Sequence, residues 1–225
     1  YSTRLLPPWE LRVVVAGQGA VSRSPERSLY PDGTEVTLTA AAAEGWEFAA
    51  VCHPARATGG DYYDLFAIDS EHVAFALGDV SGKGLGPSLV MASVQSMVRS
   101  GLRRKGAGLT GLMRELNDHL LESTAPEMFI TLFIGVLNVK TGHVRFVNGG
   151  HPPPALVKKP DMNIIPLEER SLMVGILPGF NYVEGEDRIE DGDFLVLFSD
   201  GVTEAEAVTQ DMFGEERLAE LLKMA

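Results

Sequence analysis

The spacing of apolar and polar positions differs between two parts of this chain, and the change near Gly45 indicates two regions. Before it, Val13–Val15 is a β-branched run, Pro-Asp-Gly at 31–33 is a turn, and Glu35–Thr39 alternates apolar with polar residues. Short strands around such turns predict a small β-rich unit of about three strands over residues 9–44.

From Gly45 onward, short apolar runs predict strands and helical periodicity predicts helices. The predicted strands are Phe48–Cys52, Leu65–Ile68, Val73–Leu77, Phe129–Val139, Val144–Asn148 and Phe194–Phe198. The predicted helices are Ser88–Arg103, Thr110–Ser123 with Thr110 as its N-cap, and Glu215–Met224. Hairpin-linked strands with two consecutive helices between them favour α+β layers over a parallel Rossmann sheet.

Composition narrows the class of protein. The chain has 225 residues, 45% of them hydrophobic, which is enough for one ordinary core and a small appendage. A net charge of −12 argues against nucleic-acid binding, because no basic surface offsets phosphate repulsion. The single cysteine, Cys52, excludes an internal disulfide framework and indicates a reducing, cytoplasmic setting. No apolar run approaches the roughly 18–20 residues of a membrane span.

Three aspartates, Asp61, Asp79 and Asp200, each lie beside glycine and at the end of an apolar run. A strand holds such a carboxylate rigidly, and a neighbouring glycine lets carbonyl groups and water approach. Three converging carboxylates would repel one another unless a divalent cation compensated their charge. Oxygen ligands suit Mg²⁺ or Mn²⁺, and two such ions about 4 Å apart can activate a bridging water. Taken singly, each Asp-Gly pair is typical of an ordinary turn.

A set of segments in this chain resembles one family from about Gly45 to the C-terminus. The segments are "HPARATGGDYYDLF", "ALGDVSGKGLGPSLVMA", "MFITLFIGVLNVKTGHVRFVNGGHPPPALV", "LMVGILPG" and "EDGDFLVLFSDGVTEA". They are similar to the SpoIIE/RsbU-type branch of the metal-dependent (2C-like, PPM) serine/threonine protein phosphatases. The resemblance implies an α+β fold, a four-layer αββα sandwich of two antiparallel sheets flanked by helices, with metals in a cleft at one end.

The resemblance also implies roles for individual residues. Asp61 and Asp79 would be metal ligands, with Asp79 bridging two Mn²⁺ or Mg²⁺ ions and the Val80 carbonyl coordinating as well. Asp200 would hold the first metal from the opposite sheet. The reaction would be hydrolysis of phosphoserine or phosphothreonine by metal-activated water, without a phosphoenzyme. Arg56 is a candidate for binding the phosphate oxygens, because its guanidinium forms bidentate pairs.

The partners implied by the resemblance belong to stress-response signalling. The substrate would be a phosphorylated STAS-domain anti-sigma-factor antagonist, whose dephosphorylation releases a sigma factor by partner switching. Residues 1–8 would be the end of a linker from an upstream sensor domain, and a homodimer is compatible with this arrangement.

Two features leave other functions open. Residues 9–44 are inserted between "LLPP" and the rest of the family pattern, and they resemble an InlB B-repeat-type bacterial β-repeat, whose role is structural or adhesive. Residues 45–225 end at "LLKMA", before the Asp-Asp-x-Thr strand that supplies a further metal ligand in the family. The resemblance therefore predicts weaker metal binding, and the alternative function is a catalytically silent module that binds the same partner.

Two further residues are ambiguous. Asp64 lies three positions after Asp61, so a strand would place it on the opposite face, which predicts a supporting role. His151 could be a general acid, but its flanking glycine and prolines favour a residue that fixes a turn.

Overall fold

The computed structural model describes residues 19–24, 37–42, 46–50, 61–82, 85–104, 106, 108–125, 127–205 and 212–224. The chain divides into two compact units, Tyr1–Ala57 and Thr58–Ala225. Within the described ranges, the helices are too short or too polar to cross a membrane.

The first unit contains a three-stranded antiparallel sheet. Its strands are β1 (Gly19–Ser24), β2 (Thr37–Ala42) and β3 (Glu47–Ala50), with β2 in the middle. The strand predicted at Phe48–Cys52 corresponds to β3, and it pairs with β2 of this small sheet. The border drawn between residues 44 and 45 from the sequence therefore passes through the sheet, whereas the compact units separate after Ala57.

The second unit contains two sheets and the helices. Its elements in chain order are β4 (Asp61–Ala67), β5 (His72–Val80), α1 (Leu85–Arg103), α2 (Leu109–Ser123), β6 (Ile130–Asn138), β7 (His143–Gly149), β8 (Ala155–Lys158), β9 (Asn163–Pro166), β10 (Arg170–Ser171), β11 (Glu184–Arg188), β12 (Phe194–Val196), α3 (Asp200–Thr203) and α4 (Gly214–Leu222). The larger sheet has the order β10-β7-β6-β5-β4, with β11 also paired to β7, and the smaller sheet has the order β12-β8-β9.

The larger sheet has two apolar faces because its strands alternate side chains with a period of two. One face packs against α1 and α2, which contact β4, β5 and β7. The core on this side includes Tyr62, Phe66, Ile134, Val98 and Leu116. The other face carries a row of stacked rings, in which the centroid of Phe133 lies 6.2 Å from that of Phe75 and 5.4 Å from that of Phe146. Phe133 and Phe146 are fully buried, so this face is covered as well.

The predicted α+β class, with sheets flanked by helices, is confirmed, and so are the two consecutive helices and the hairpin that follows them. Two details of the prediction are wrong. Thr110 lies inside α2, and Gly108 is the N-cap, with its carbonyl accepting a 3.1 Å hydrogen bond from Leu112. The helix begins earlier than predicted because Leu109 is buried and belongs to its apolar face. The strand predicted at Phe194–Phe198 ends at Val196.

Candidate metal centre

Asp61, Asp79 and Thr131 form a row of directly paired residues across three strands, which we call the rung. Asp61 on β4 is paired with Asp79 on β5, and Asp79 is paired with Thr131 on β6. Directly paired residues of an antiparallel sheet point to the same face, with Cβ atoms about 4.5–5.5 Å apart. The backbone therefore places Asp61, Asp79 and Thr131 at neighbouring positions at one end of the sheet.

The β4–β5 hairpin sets this register. The Asp69 carboxylate accepts hydrogen bonds from the backbone N–H groups of Glu71 and His72, at 2.8 and 2.9 Å, which closes a tight turn between the strands. Gly78 then allows β5 to approach β6 closely, because a Cβ at this position would lie 2.6 Å from the Thr131 carbonyl oxygen. The turn and the glycine together bring the two aspartates and Thr131 to the same level.

Ser81 fixes the chain just after the rung. The backbone N–H of Ser81 donates to the Phe129 carbonyl at 2.9 Å, and the Phe129 N–H donates to the Ser81 hydroxyl oxygen at 2.9 Å. The hydroxyl also donates to the carbonyl of Glu127 at 3.3 Å. These bonds hold the backbone beside Val80, the residue whose carbonyl would be a metal ligand according to the family resemblance.

His151 lies against the third residue of the rung. Its Nδ1 is 3.1 Å from the Thr131 hydroxyl oxygen, and the residue is only 1% exposed. The Asn148 side chain accepts a hydrogen bond from the His151 N–H at 2.8 Å and donates one to its carbonyl at 3.0 Å. The prediction that His151 fixes a turn agrees with these bonds.

The imidazole of His151 is neutral at physiological pH. Burial lowers its pKa to about 4, although the charge of Asp200 and the backbone of Phe198 act in the opposite direction, and Arg170 adds to the lowering. A buried group with this pKa does not suit the role of a general acid near pH 7.

Asp200 is the first residue of the short helix α3 and is exposed. The charge of Asp200 acts to raise the pKa of His151, whose ring contacts Thr131.

Asp64 lies on the other face of β4, as its spacing from Asp61 predicts. Its carboxylate is 4% exposed and pairs with the Arg99 guanidinium of α1 through hydrogen bonds of 2.7 and 2.6 Å. The hydrogen bonds that Arg99 donates to Asp64 raise the pKa of Arg99. Burial and the Asp64 charge raise the pKa of Tyr62, whose hydroxyl is 3.4 Å from the carboxylate. Asp64 therefore anchors α1 to β4.

The structure describes the predicted site residues to different extents. Asp79 is half-buried on the rung, Val80 is buried at the end of β5, and Asp200 is exposed at the start of α3. The backbone of Asp61 is described, but its side chain and the whole of Arg56 lie outside the described residues. Among the described side chains, no three acidic, histidine or cysteine residues form a group that could hold a metal.

The donor set on the rung fits a hard divalent cation. Two aspartates occupy paired backbone positions at the end of the sheet, and the third residue of the row, Thr131, carries another oxygen. Oxygen ligands of this kind are those that Mg²⁺ and Mn²⁺ prefer. Sequence reasoning missed Thr131, although a threonine within the otherwise apolar run from Phe129 to Val136 was a signal.

Comparison with known proteins identifies the family to which this chain belongs. Residues 69–225 match the family described as stage II sporulation protein E (SpoIIE). The chain is 32% identical over 161 residues to the phosphoserine phosphatase RsbU of Bacillus subtilis, covering 72% of this chain and 48% of that protein. It is 28% identical over 203 residues to protein IcfG of Synechocystis sp., covering 79% of this chain and 32% of that protein. The chain thus spans less than half the length of either relative.

Solved structures agree with this assignment at the level of the fold. The PP2C phosphatase domain of SpoIIE from Bacillus subtilis, solved with a fragment of its regulatory domain, has a TM-score of 0.65 at 18% identity, covering 93% of this chain and 60% of that chain. RsbX in complex with magnesium has a TM-score of 0.58 at 14% identity, covering 91% of this chain and 92% of that chain. The chain therefore belongs to the SpoIIE family and has the fold of a PP2C-type phosphatase domain.

Proposed function

We propose that the second unit is a metal-dependent serine/threonine phosphatase that acts on a regulatory phosphoprotein. The observation that carries the proposal is the pairing of Asp61 with Asp79 on one face of the sheet. Two carboxylates this close repel each other, and a divalent cation between them removes the repulsion. The phosphoserine phosphatase RsbU, to which the chain is similar, supports the choice of reaction.

The residues of this chain would have the following roles. Asp61, Asp79, the Val80 carbonyl and Asp200 would hold the cations, two Mn²⁺ or Mg²⁺ ions. Magnesium bound to RsbX supports this class of ion. When bound, such cations make a water molecule nucleophilic at neutral pH and neutralise charge on the phosphoryl group. Arg56 would bind the phosphate oxygens.

We propose a phosphorylated STAS-domain anti-sigma-factor antagonist as substrate, in a cytoplasmic partner switch that controls a sigma factor. An upstream sensor domain would regulate the phosphatase, and a homodimer is compatible with this arrangement. The similarity to the phosphoserine phosphatase RsbU supports phosphoserine as the group that is hydrolysed.

Asp79→Asn tests the proposed function. The substitution removes one charge from the rung, so we expect Mn²⁺-dependent hydrolysis of p-nitrophenyl phosphate to fall on the order of 100-fold or more, with weaker Mn²⁺ binding in calorimetry. Asp191→Asn, at an exposed turn, is the matched control and should leave both unchanged. Equal hydrolysis by wild type and Asp79→Asn would refute the proposal. Capture of a STAS-domain protein without hydrolysis by the wild type would favour the silent binding module.

A further inference from the structure

The segment between β10 and β11, residues 172–183, is fixed to helix α2, and we call it the β10–β11 loop. Asn117 of α2 is fully buried, and its side-chain oxygen accepts hydrogen bonds from the Gly175 N–H at 2.9 Å and from the Tyr182 hydroxyl at 3.2 Å. Its side-chain nitrogen donates to the Leu177 carbonyl at 3.0 Å. One buried side chain therefore holds the loop near both of its ends.

The loop begins beside the candidate metal centre. Val174 and Ile130 exchange two backbone hydrogen bonds, each of 2.9 Å. Ile130 directly precedes Thr131, which is paired with Asp79 on the rung. Paired residues have Cα atoms about 4.5–5.5 Å apart and consecutive residues about 3.8 Å, so the Cα atom of Val174 lies within about 15 Å of that of Asp79.

The same loop presents apolar side chains to solvent. Ile176 is 40% exposed and the adjacent Leu177 is 50% exposed, although the backbone of Leu177 is bonded to Asn117. With Val183, three of the eleven large apolar side chains that are exposed in the described part of the chain lie in this twelve-residue loop. A fixed loop that exposes neighbouring apolar side chains is typical of a binding surface.

The position of the loop indicates which molecule covers it. A protein whose phosphoserine reaches the rung also contacts the surface around the rung. Protein–protein contacts of ordinary size bury about 800 Å² per partner, which is a patch about 30 Å across, so a patch centred on the rung includes the Val174 end of the loop. An extended chain rises about 3.3 Å per residue, so Ile176 and Leu177 are reached roughly five to seven residues from the phosphoserine.

We propose that Ile176 and Leu177 are specificity-determining residues, which bind an apolar segment of the phosphoprotein substrate roughly five to seven residues from its phosphoserine. The inference rests on the proposed function, because phosphate hydrolysis at the rung is what makes a phosphoprotein the occupant. Apolar contacts remote from the reacting group stabilise the bound substrate and the transition state equally, so they lower KM and leave kcat unchanged.

Three phosphoserine peptides of equal length test the proposal. One has leucines at the fifth to seventh positions before the phosphoserine, one has them at the same positions after it, and the third has serines at all of these positions. We expect kcat/KM of the wild type for one leucine peptide to exceed that for the serine peptide about 10-fold, through a lower KM, because the leucines become partly buried.

Substitutions locate the effect on the protein. Ile176→Ser combined with Leu177→Ser should reduce the ratio between the leucine and serine peptides to about 1, because the apolar contact is lost. Leu221→Ser combined with Met224→Ser is the matched control, since these side chains are 51% and 75% exposed and lie outside the loop. The control should keep the ratio of the wild type. A wild-type ratio near 1 for both leucine peptides, or an equal loss in the two double variants, would overturn the proposal.

Backbone amide NMR of the wild type in EDTA measures binding without hydrolysis. We expect the signals of Ile176 and Leu177 to shift with a leucine peptide and not with the serine peptide. Hydrolysis of phosphate esters without these shifts would overturn the docking surface alone. Shifts without any Mn²⁺-dependent hydrolysis would overturn the proposed function and leave the docking surface standing.

Discussion

Asp61 and Asp64 lie three positions apart on β4, and the two-residue period of the strand places them on opposite faces. Asp61 is paired through the backbone with Asp79, whereas the Asp64 side chain lies on the face covered by helices, where Arg99 pairs with it. Two aspartates of one strand therefore occupy different surroundings, because they belong to opposite faces of the sheet.

Arg99→Met tests the anchoring role of Asp64. The substitution leaves the Asp64 carboxylate buried without its cation, so we expect the free energy of unfolding to fall by about 3 kcal/mol in urea denaturation. Arg104→Met is the matched control, because Arg104 pairs with Glu115 at the surface, where both side chains are at least half exposed. This control should change stability by less than about 0.5–1 kcal/mol. Similar losses in both variants would contradict the prediction.

The low pKa of His151 predicts a pH dependence of stability. The unfolded chain binds a proton with a pKa of 6.5, whereas the folded protein resists it until about 4, so the unfolded state gains protons first as pH falls. The stabilisation is complete above about pH 6.5 and is lost progressively toward pH 4, by up to about 3 kcal/mol. Unfolding of metal-free wild type and His151→Gln between these pH values measures the difference. Parallel curves for the two proteins would show that His151 does not contribute.

At the scale of elements, the sequence predicts α2 to within one residue, because its buried leucines recur at helical spacing. It predicts β4 less well, since the strand begins at Asp61 and not at Leu65. The alternation at the start of β4 is obscured by Asp64, whose burial depends on Arg99 from a distant helix. Local periodicity contains no information about such a partner.

The residues of the candidate site were likewise predictable from the sequence only in part. Asp79 is recognisable because an apolar strand leads directly to it. The position of Thr131 beside Asp79 and its contact with His151 could not be predicted, because they depend on strand pairing and on a turn far along the chain. The sequence predicts that Asp79 lies near the end of a strand, but the register between strands determines which residues are paired with it.

Gly142 provides a test of the turn between β6 and β7. It has φ +70°, and a Cβ there would overlap the carbonyl oxygen of Ile189, whose N–H donates to the Gly142 carbonyl at 2.8 Å. We expect Gly142→Ala to lower the free energy of unfolding by more than about 3 kcal/mol. Gly179→Ala is the matched control, since Gly179 has φ +68° but no neighbouring atom within 4 Å. The control should lose only about 1–2 kcal/mol, and equal losses would show that backbone strain alone is responsible.

At the scale of the whole molecule, charge is the dominant property. The chain carries 31 acidic and 19 basic residues, for a net charge of −12. A field of this sign repels anionic substrates at long range and attracts basic ones, and salt weakens both effects. Selection among phosphoproteins would therefore begin before contact with the site.

Two phosphoserine peptides of equal length test this field. One has lysines flanking the phosphoserine and the other has glutamates. We expect a several-fold higher kcat/KM for the lysine peptide at about 50 mM salt, and a smaller ratio at about 300 mM, where the Debye length is shorter. Measuring phosphate release at both concentrations gives the ratios. A ratio that does not change with salt would mean that contacts within the site determine the preference.

The tight turn at Asp69–His72 sets the register between β4 and β5. The length of this turn therefore matters to the candidate site as much as the aspartates do. One extra residue there would shift β4 by one position against β5, so that Asp61 would no longer be paired with Asp79. Every aspartate would still be present, yet the carboxylates could no longer share a cation. In relatives of this domain, an insertion in that turn should therefore accompany loss of catalysis as reliably as replacement of an aspartate.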